Sequence, residues 1–262
     1  MTGNSIRFED GSGYEHMMGK WSRLVGEDFL TWLAPPPGLR WIDVGCGNGA
    51  STELLVDRCA PSEVVGVDPS KAQLAFARAR GIARARFELG KATALPCPDH
   101  AFDAAMMALV LFFVPEPEMG VAEMRRAVRP GGPVCAYVWD VLEPGGFPLS
   151  VMQEELKAVS STPMLPPRAD VSTLPALAEL WTAAGLVNVR TKQFTVSRAF
   201  KDFADFWSTV EIALGMGDAT RALSAAVRKG LEVRLRERLP VREDGSLIHT
   251  ARANAVAGLV PN

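Results

Sequence analysis

The stretch Trp41-Ile42-Asp43-Val44-Gly45-Cys46-Gly47-Asn48-Gly49 carries the clearest chemical signal in the chain. An apolar strand reaches an acidic residue, then a G-x-G-x-G turn, then a segment of helical character. Glycines permit the tight bend and let a ligand approach the backbone with no Cβ in the way. Free amides at the start of the following helix suit an anionic group such as a carboxylate. Asp43 is placed to help hold an ammonium, directly or through water. Asp68 ends the next strand-like segment, Val64-Val65-Gly66-Val67. A carboxylate at the end of a neighbouring strand can accept two ribose hydroxyls. Dinucleotide enzymes use the same device, so Asp68 alone does not separate the classes.

Four stretches together resemble a known family. Asp43-Val44-Gly45-Cys46-Gly47-Asn48-Gly49 resembles motif I of the class I S-adenosylmethionine-dependent methyltransferases, and Val67-Asp68-Pro69-Ser70 resembles their acidic ribose-binding motif. Ala94-Leu95-Pro96-Cys97-Pro98-Asp99-His100-Ala101-Phe102-Asp103 is similar to the stretch before their fourth strand, and Arg129-Pro130-Gly131-Gly132 to the turn before their fifth. The motifs fall in the family's order and cover residues 41–140. Tyr14-Glu15-His16-Met17-Met18-Gly19-Lys20-Trp21-Ser22-Arg23 also resembles a lead-in of small-molecule members, where it implies a helix folding over the cofactor.

The resemblance implies methyl transfer from the sulfonium of S-adenosylmethionine to a small-molecule acceptor by in-line displacement, with the cofactor supplying the electrophile. It places Tyr14 and Trp21 of the lead-in at the cofactor, with Asp43, Gly45, Cys46 and Gly47 of the turn and Asp68 and Pro69 of the second motif. Ala92 and Thr93 are expected at the adenine edge, and Leu109 on the apolar face that sandwiches the base. The chain departs from the family at one position. Members commonly carry an acidic residue before that alanine, whose carboxylate accepts from the adenine amino group. Lys91 stands there instead, and an ammonium has no acceptor.

The elements that must position these residues alternate between strand and helix over the first part of the chain, the βαβ pattern. Strands are expected at 41–44, 63–67, 85–89, 104–109 and 134–139. Helices are expected at 14–33, 50–59, 70–80 and 116–128, with Ser70 as an N-cap. Beyond these the pattern predicts helices at 149–159, 174–184, 200–214 and 220–239, and strands at 187–196 and 246–256. Pairing the last two strands completes a doubly wound, mostly parallel seven-stranded α/β sheet, as in class I methyltransferases. The chain reads as a single domain over 1–262: a helical lid at 1–34, a cofactor-binding core at 41–140, and helical insertions at 142–172 and 197–240 that cap the substrate. Phe203, Phe206, Trp207, Leu214 and Met216 in the second insertion favour an apolar or aromatic acceptor.

Hydrophobic residues form 48% of the 262 and charged residues 22%, which marks a globular chain. A formal net charge of −2 and scattered Lys and Arg argue against a nucleic-acid partner. The N-terminus has no apolar signal core and the longest apolar run, 104–114, is too short for a bilayer, so no membrane is expected. Four sparse cysteines with no C-x-x-C pair suit a reducing cytoplasm and no zinc site. Ala108-Leu109-Val110 offers no oxygen ligand for magnesium, so no metal is expected. His16, Asp140 and His249 are the candidate catalytic residues. An NAD(P)-dependent oxidoreductase shares the glycine turn and the ribose acid, although its fingerprint prefers glycine where this chain has Ala50. A non-catalytic S-adenosylmethionine-binding protein is the other alternative.

Overall fold

The computed structural model describes residues 18–159, 165–213 and 216–262. In chain order, α1 (Lys20–Leu33) leads into β1 (Arg40–Val44), α2 (Ala50–Cys59), β2 (Glu63–Asp68), α3 (Lys71–Ala79) and β3 (Ala85–Leu89). Then come β4 (Ala104–Ala108), α4 (Pro117–Ala127), β5 (Pro133–Trp139), α5 (Ser150–Lys157), α6 (Leu174–Ala183) and β6 (Val187–Phe200). The helices α7 (Phe203–Ile212), α8 (Met216–Ala222) and α9 (Ala225–Arg238) precede β7 (Leu247–Leu259). The strands form one sheet in the order β3-β2-β1-β4-β5-β7-β6. β1 to β5 run parallel, and β7 runs antiparallel to both of its neighbours, β5 and β6. This is the mostly parallel seven-stranded sheet that the sequence pattern predicts.

The central strands read as unbroken apolar runs because helices cover both faces of the sheet. Trp41, Ile42 and Val44 of β1 and every residue of β5 from Val134 to Trp139 are buried. Trp181 of α6 pins that helix to β5 by donating its indole N–H to the Val134 carbonyl at 2.9 Å. Ser70 caps α3 as expected, its hydroxyl accepting from the Gln73 amide; such caps contribute about 1 kcal/mol. α1 buries Trp21, Val25 and Phe29, spaced four apart on one face. It also seats closely at Gly26, where a Cβ would lie 2.5 Å from Leu54 Cδ2 and 3.1 Å from the Tyr137 hydroxyl. Among the described residues no helix is long and apolar enough to cross a membrane.

The later third of the chain departs from the sequence reading in two places. β6 runs on to Phe200 rather than ending at 196. Ser197–Phe200 pair with Leu247–Thr250, and Phe194, Val196, Arg198 and Phe200 alternate inward with the two-residue period of a strand. The expected helix at 220–239 is two helices. Ser224 sits in extended conformation between them and caps α9 by accepting from the Val227 amide.

Candidate functional site

The glycine turn stands at the carboxyl end of β1, and three of its residues have left-handed backbone: Gly45 (φ 74°), Gly47 (φ 52°) and Gly49 (φ 84°). Each is a glycine for a different reason. At Gly45 a Cβ would strike Val110, 2.5 Å away, because the exit of β4 folds over the turn. At Gly49 it would press on Ala77 of α3 at 3.1 Å. At Gly47 it would meet no atom within 4 Å, so this glycine keeps space open rather than packing tightly.

Asp68 organises the turn from β2. Its two carboxylate oxygens accept from the Gly47 amide at 3.0 Å and the Ser70 amide at 2.8 Å. Burial raises its pKa above the ordinary carboxylate value, and the two amides counter this by favouring the charged form. On the outer side, Arg80 donates to the Asn48 carbonyl at 2.8 Å and pairs with Glu53. The Gly45 and Cys46 amides donate to the Val67 carbonyl. The turn is thereby tied to the neighbouring strand and to the helices on either side of it.

Asp43 stands behind the turn and does not line the cleft. It is fully buried, and one oxygen accepts the Ser51 hydroxyl at 2.8 Å and the Thr52 hydroxyl at 2.6 Å, fixing the first turn of α2. The other oxygen is buried without a partner. Burial pushes the carboxyl up to about 6, against the two hydroxyls that favour its ionised form. A carboxyl whose pKa is raised in the folded state stabilises most below its unfolded value and loses that contribution as pH rises through the folded one. The window here is about pH 4 to 6, and the stability lost across it is about 3 kcal/mol. Asp43→Asn removes this titration. Urea unfolding of the two proteins at pH 4 and pH 7 should show the variant gaining on the native chain at the higher pH, whatever its absolute stability.

Around the turn lies a cleft of about 1100 Å³, at the upper end of the ~300–1000 Å³ of typical ligand pockets. Gly45, Cys46, Gly47, Asp68 and Pro69 line it, as do Ala92, Thr93 and Leu109. Cys46 turns its thiol away, packing it against Leu74, Ala77 and Phe87. Leu109 has left-handed backbone (φ 59°), an uncommon state for a bulky residue, with its amide bound to the Tyr137 carbonyl at 2.8 Å. That bend carries Val110 over Gly45. Val110, Phe113, Val114 and Pro115 continue the wall beyond it.

Other sequence candidates lie elsewhere. Tyr14 and His16 fall outside the described residues. Trp21 is fully buried beneath α1, near Phe200 and His249, rather than on the cleft. His249 is wedged between Trp21 and Phe206, and burial pushes its pKa down to about 4. Asp140 is buried beside Arg252 and Gln193 and does not line the cleft either. Phe203, Phe206, Trp207 and Met216 are buried in the core and do not form the cleft wall; Leu214 falls outside the described residues. From the helical insertion, Phe206 meets Phe200 and His249, the two rings that flank Trp21 of α1. Sequence reasoning missed the other side of that helix: Lys20, Ser22 and Arg23 line the cleft, as do Phe113 and Glu116. The four-residue spacing of Trp21, Val25 and Phe29 was the signal, because it turns positions 20, 22 and 23 away from the core.

A family model described as a methyltransferase domain matches residues 42–136, the stretch that builds β1 through β5 and the glycine turn. That stretch is similar to a methyltransferase domain. Within it the match runs through the turn, Asp68 and the segment at 91–93. Trans-aconitate 2-methyltransferase of Variovorax paradoxus is 39% identical over 114 residues, 44% of this chain and 44% of that protein. Demethylmenaquinone methyltransferase of Renibacterium salmoninarum is 38% identical over 113 residues, 43% of this chain and 45% of that protein. The matched stretch thus spans less than half the length of these relatives. A Haemonchus contortus phosphoethanolamine N-methyltransferase 2, solved with S-adenosylhomocysteine, has the same fold at a TM-score of 0.59 and 18% identity. That likeness covers 99% of this chain and 59% of that one. The sheet has β7 inserted antiparallel between β5 and β6, whereas the dinucleotide-binding sheet in its classic form has the order 3-2-1-4-5-6.

Proposed function

We propose that the protein transfers a methyl group from S-adenosylmethionine to a small acceptor with an apolar or aromatic body. The observation that carries this reading is the open cradle at Gly47, bonded through its amide to Asp68 and continuous with the apolar wall from Leu109 to Pro115. The residues suit the cofactor. Asp68 would take the ribose hydroxyls, Gly45 and Gly47 would let the amino-acid end approach the backbone, and Ala92, Thr93 and Leu109 would enclose the base. Asp43 would hold the start of α2 in place from behind. When bound, the cofactor supplies an electrophilic methyl carbon.

The protein's share is position and exclusion of water. Holding an acceptor in line can contribute about 7–11 kcal/mol in favourable cases. A base is required only where the acceptor must lose its proton early. The first part of α1 forms one side of the cleft and is the described part of the lid. The relative named for trans-aconitate acts on a carboxylic acid, so carboxylic acids belong in the acceptor screen beside phenols. Incubation with methyl-labelled S-adenosylmethionine and such a panel should place label in an extractable product. Retained binding of S-adenosylhomocysteine with no transfer to any acceptor would make the protein a binder instead.

A further inference from the structure

The strand register fixes the two ends of the cleft. Val44 stands beside Val67, Asp43 beside Met106 and Ala108 beside Tyr137. Asp68, Gly45, Ala108 and Tyr137 therefore lie at one level across the adjacent strands β2, β1, β4 and β5, and all four line the cleft. Neighbouring strands are about 4.8 Å apart, which separates Asp68 from Tyr137 by roughly 14 Å. In S-adenosylmethionine a single methylene joins the sulfonium to the ribose. With the ribose at Asp68 and the amino-acid end at the glycine turn, the cofactor fills the β2–β1 half of that span and leaves the β5 end for the acceptor.

Two hydroxyls meet at that end. Ser22 lines the cleft, yet its Oγ is buried and has no hydrogen-bond partner. A buried hydroxyl without a bond is unfavourable, and a ligand atom that accepts from it relieves the cost. Ser22 precedes Gly26 by one turn on the same face of α1, and a Cβ at Gly26 would lie 3.1 Å from the Tyr137 hydroxyl. The two hydroxyls are thus roughly 5–6 Å apart, the spacing of side chains one turn apart. An oxygen-bearing group between them can accept from both at about 2.7 Å. Lys20 and Arg23 flank Ser22 and also line the cleft. Three apart on the helix, they are neighbours of like charge, an arrangement that an anion relieves. Arg23 reaches Glu27 at 3.2 Å, while Lys20 is exposed and forms no ion pair with any described residue. Of the acids on the lining, Asp68 is held by two backbone amides, Glu53 by Arg80, and Glu116 stands at the start of α4.

We propose that the hydroxyls of Ser22 and Tyr137 hold a carboxylate of the acceptor molecule, with Lys20 as its counter-charge. The inference rests on the cofactor reading above and names the acceptor class for the same cleft. Both hydroxyls donate, and an ionised carboxylate only accepts, so the groups match. Hydrogen bonds to an ionised oxygen are stronger than neutral ones, which favours a carboxylate over a neutral phenol. Ser22 and Tyr137 are positioning residues: they fix the end of the acceptor that does not react and so orient the rest of it toward the methyl group.

The test is a ligand-observed NMR titration of the full chain, saturated with S-adenosylhomocysteine, with benzoate, phenol and toluene. It is run on the native protein, Ser22→Ala, Tyr137→Phe and Lys20→Met. Benzoate should bind the native protein about tenfold or more tighter than toluene. Ser22→Ala and Tyr137→Phe should each weaken benzoate about tenfold and leave toluene unchanged. Ser22→Ala removes a hydroxyl that bonds nothing in the fold, so its melting temperature should not fall. Lys20→Met, at an exposed site, should weaken benzoate about two- to fivefold and leave phenol, neutral at pH 7, unchanged. Benzoate no tighter than phenol or toluene, or benzoate affinity unchanged in both hydroxyl variants, overturns the inference and leaves the cofactor reading standing. A loss of S-adenosylhomocysteine affinity of about tenfold or more in Ser22→Ala or Lys20→Met assigns these residues to the cofactor and overturns it too. Failure of S-adenosylhomocysteine to bind the native protein overturns the cofactor reading, and this inference with it.

Discussion

Asp68→Ala should weaken binding of S-adenosylhomocysteine by about 100-fold or more while the protein stays folded. In the native chain the carboxylate holds the Gly47 and Ser70 amides, so it both shapes the turn and presents charge to the cleft. Two charge-assisted bonds to ribose hydroxyls, each contributing about 1.5 kcal/mol or more, account for the loss. The two amides left behind lie beside the cleft, where water can reach them, so the cost to folding should be only about 1–2 kcal/mol. Asp68→Asn keeps a side-chain oxygen for one amide and sets an N–H against the other, and should fall between the two. Affinity for S-adenosylhomocysteine within threefold of native in Asp68→Ala would remove Asp68 from the site.

The second large effect is a contrast between two glycines of one turn. Gly45→Ala should cost about 3 kcal/mol of stability, because the methyl meets Val110 at 2.5 Å and the left-handed backbone is unfavourable for alanine. In a chain of this size that lowers the melting temperature by about 6–12 °C. Truncating the neighbour in Gly45→Ala/Val110→Ala should recover part of the loss. Gly47→Ala meets nothing within 4 Å and should cost only about 1 kcal/mol, from its backbone. Its methyl stands where a ligand would lie, so binding of S-adenosylhomocysteine should fall about tenfold or more. Paired calorimetry and thermal unfolding check both halves, and native-like binding by Gly47→Ala would contradict the cradle.

The glycine turn, Asp68 and the first five strands were legible because their causes are local. A parallel strand covered on both faces must be apolar throughout, and a turn that bends this tightly needs glycine. Ser70 was legible as a cap for the same reason. Asp43 was legible as important but not in its role, since only the fold shows that Ser51 and Thr52 take its oxygen and keep it off the cleft. Trp21 and Phe206 misled because an aromatic at helical spacing serves a core or a ligand equally well, and here both build the packing beneath α1. Val110 gave no sequence signal at all. Its role depends on the left-handed bend at Leu109, which brings two distant segments together.

The most direct measurement is titration of the ligand-stripped native protein with S-adenosylhomocysteine and, separately, with NADH. One-to-one binding of S-adenosylhomocysteine with no heat from NADH is the expected result. Binding of NADH alone would contradict the assignment of the cleft to S-adenosylmethionine.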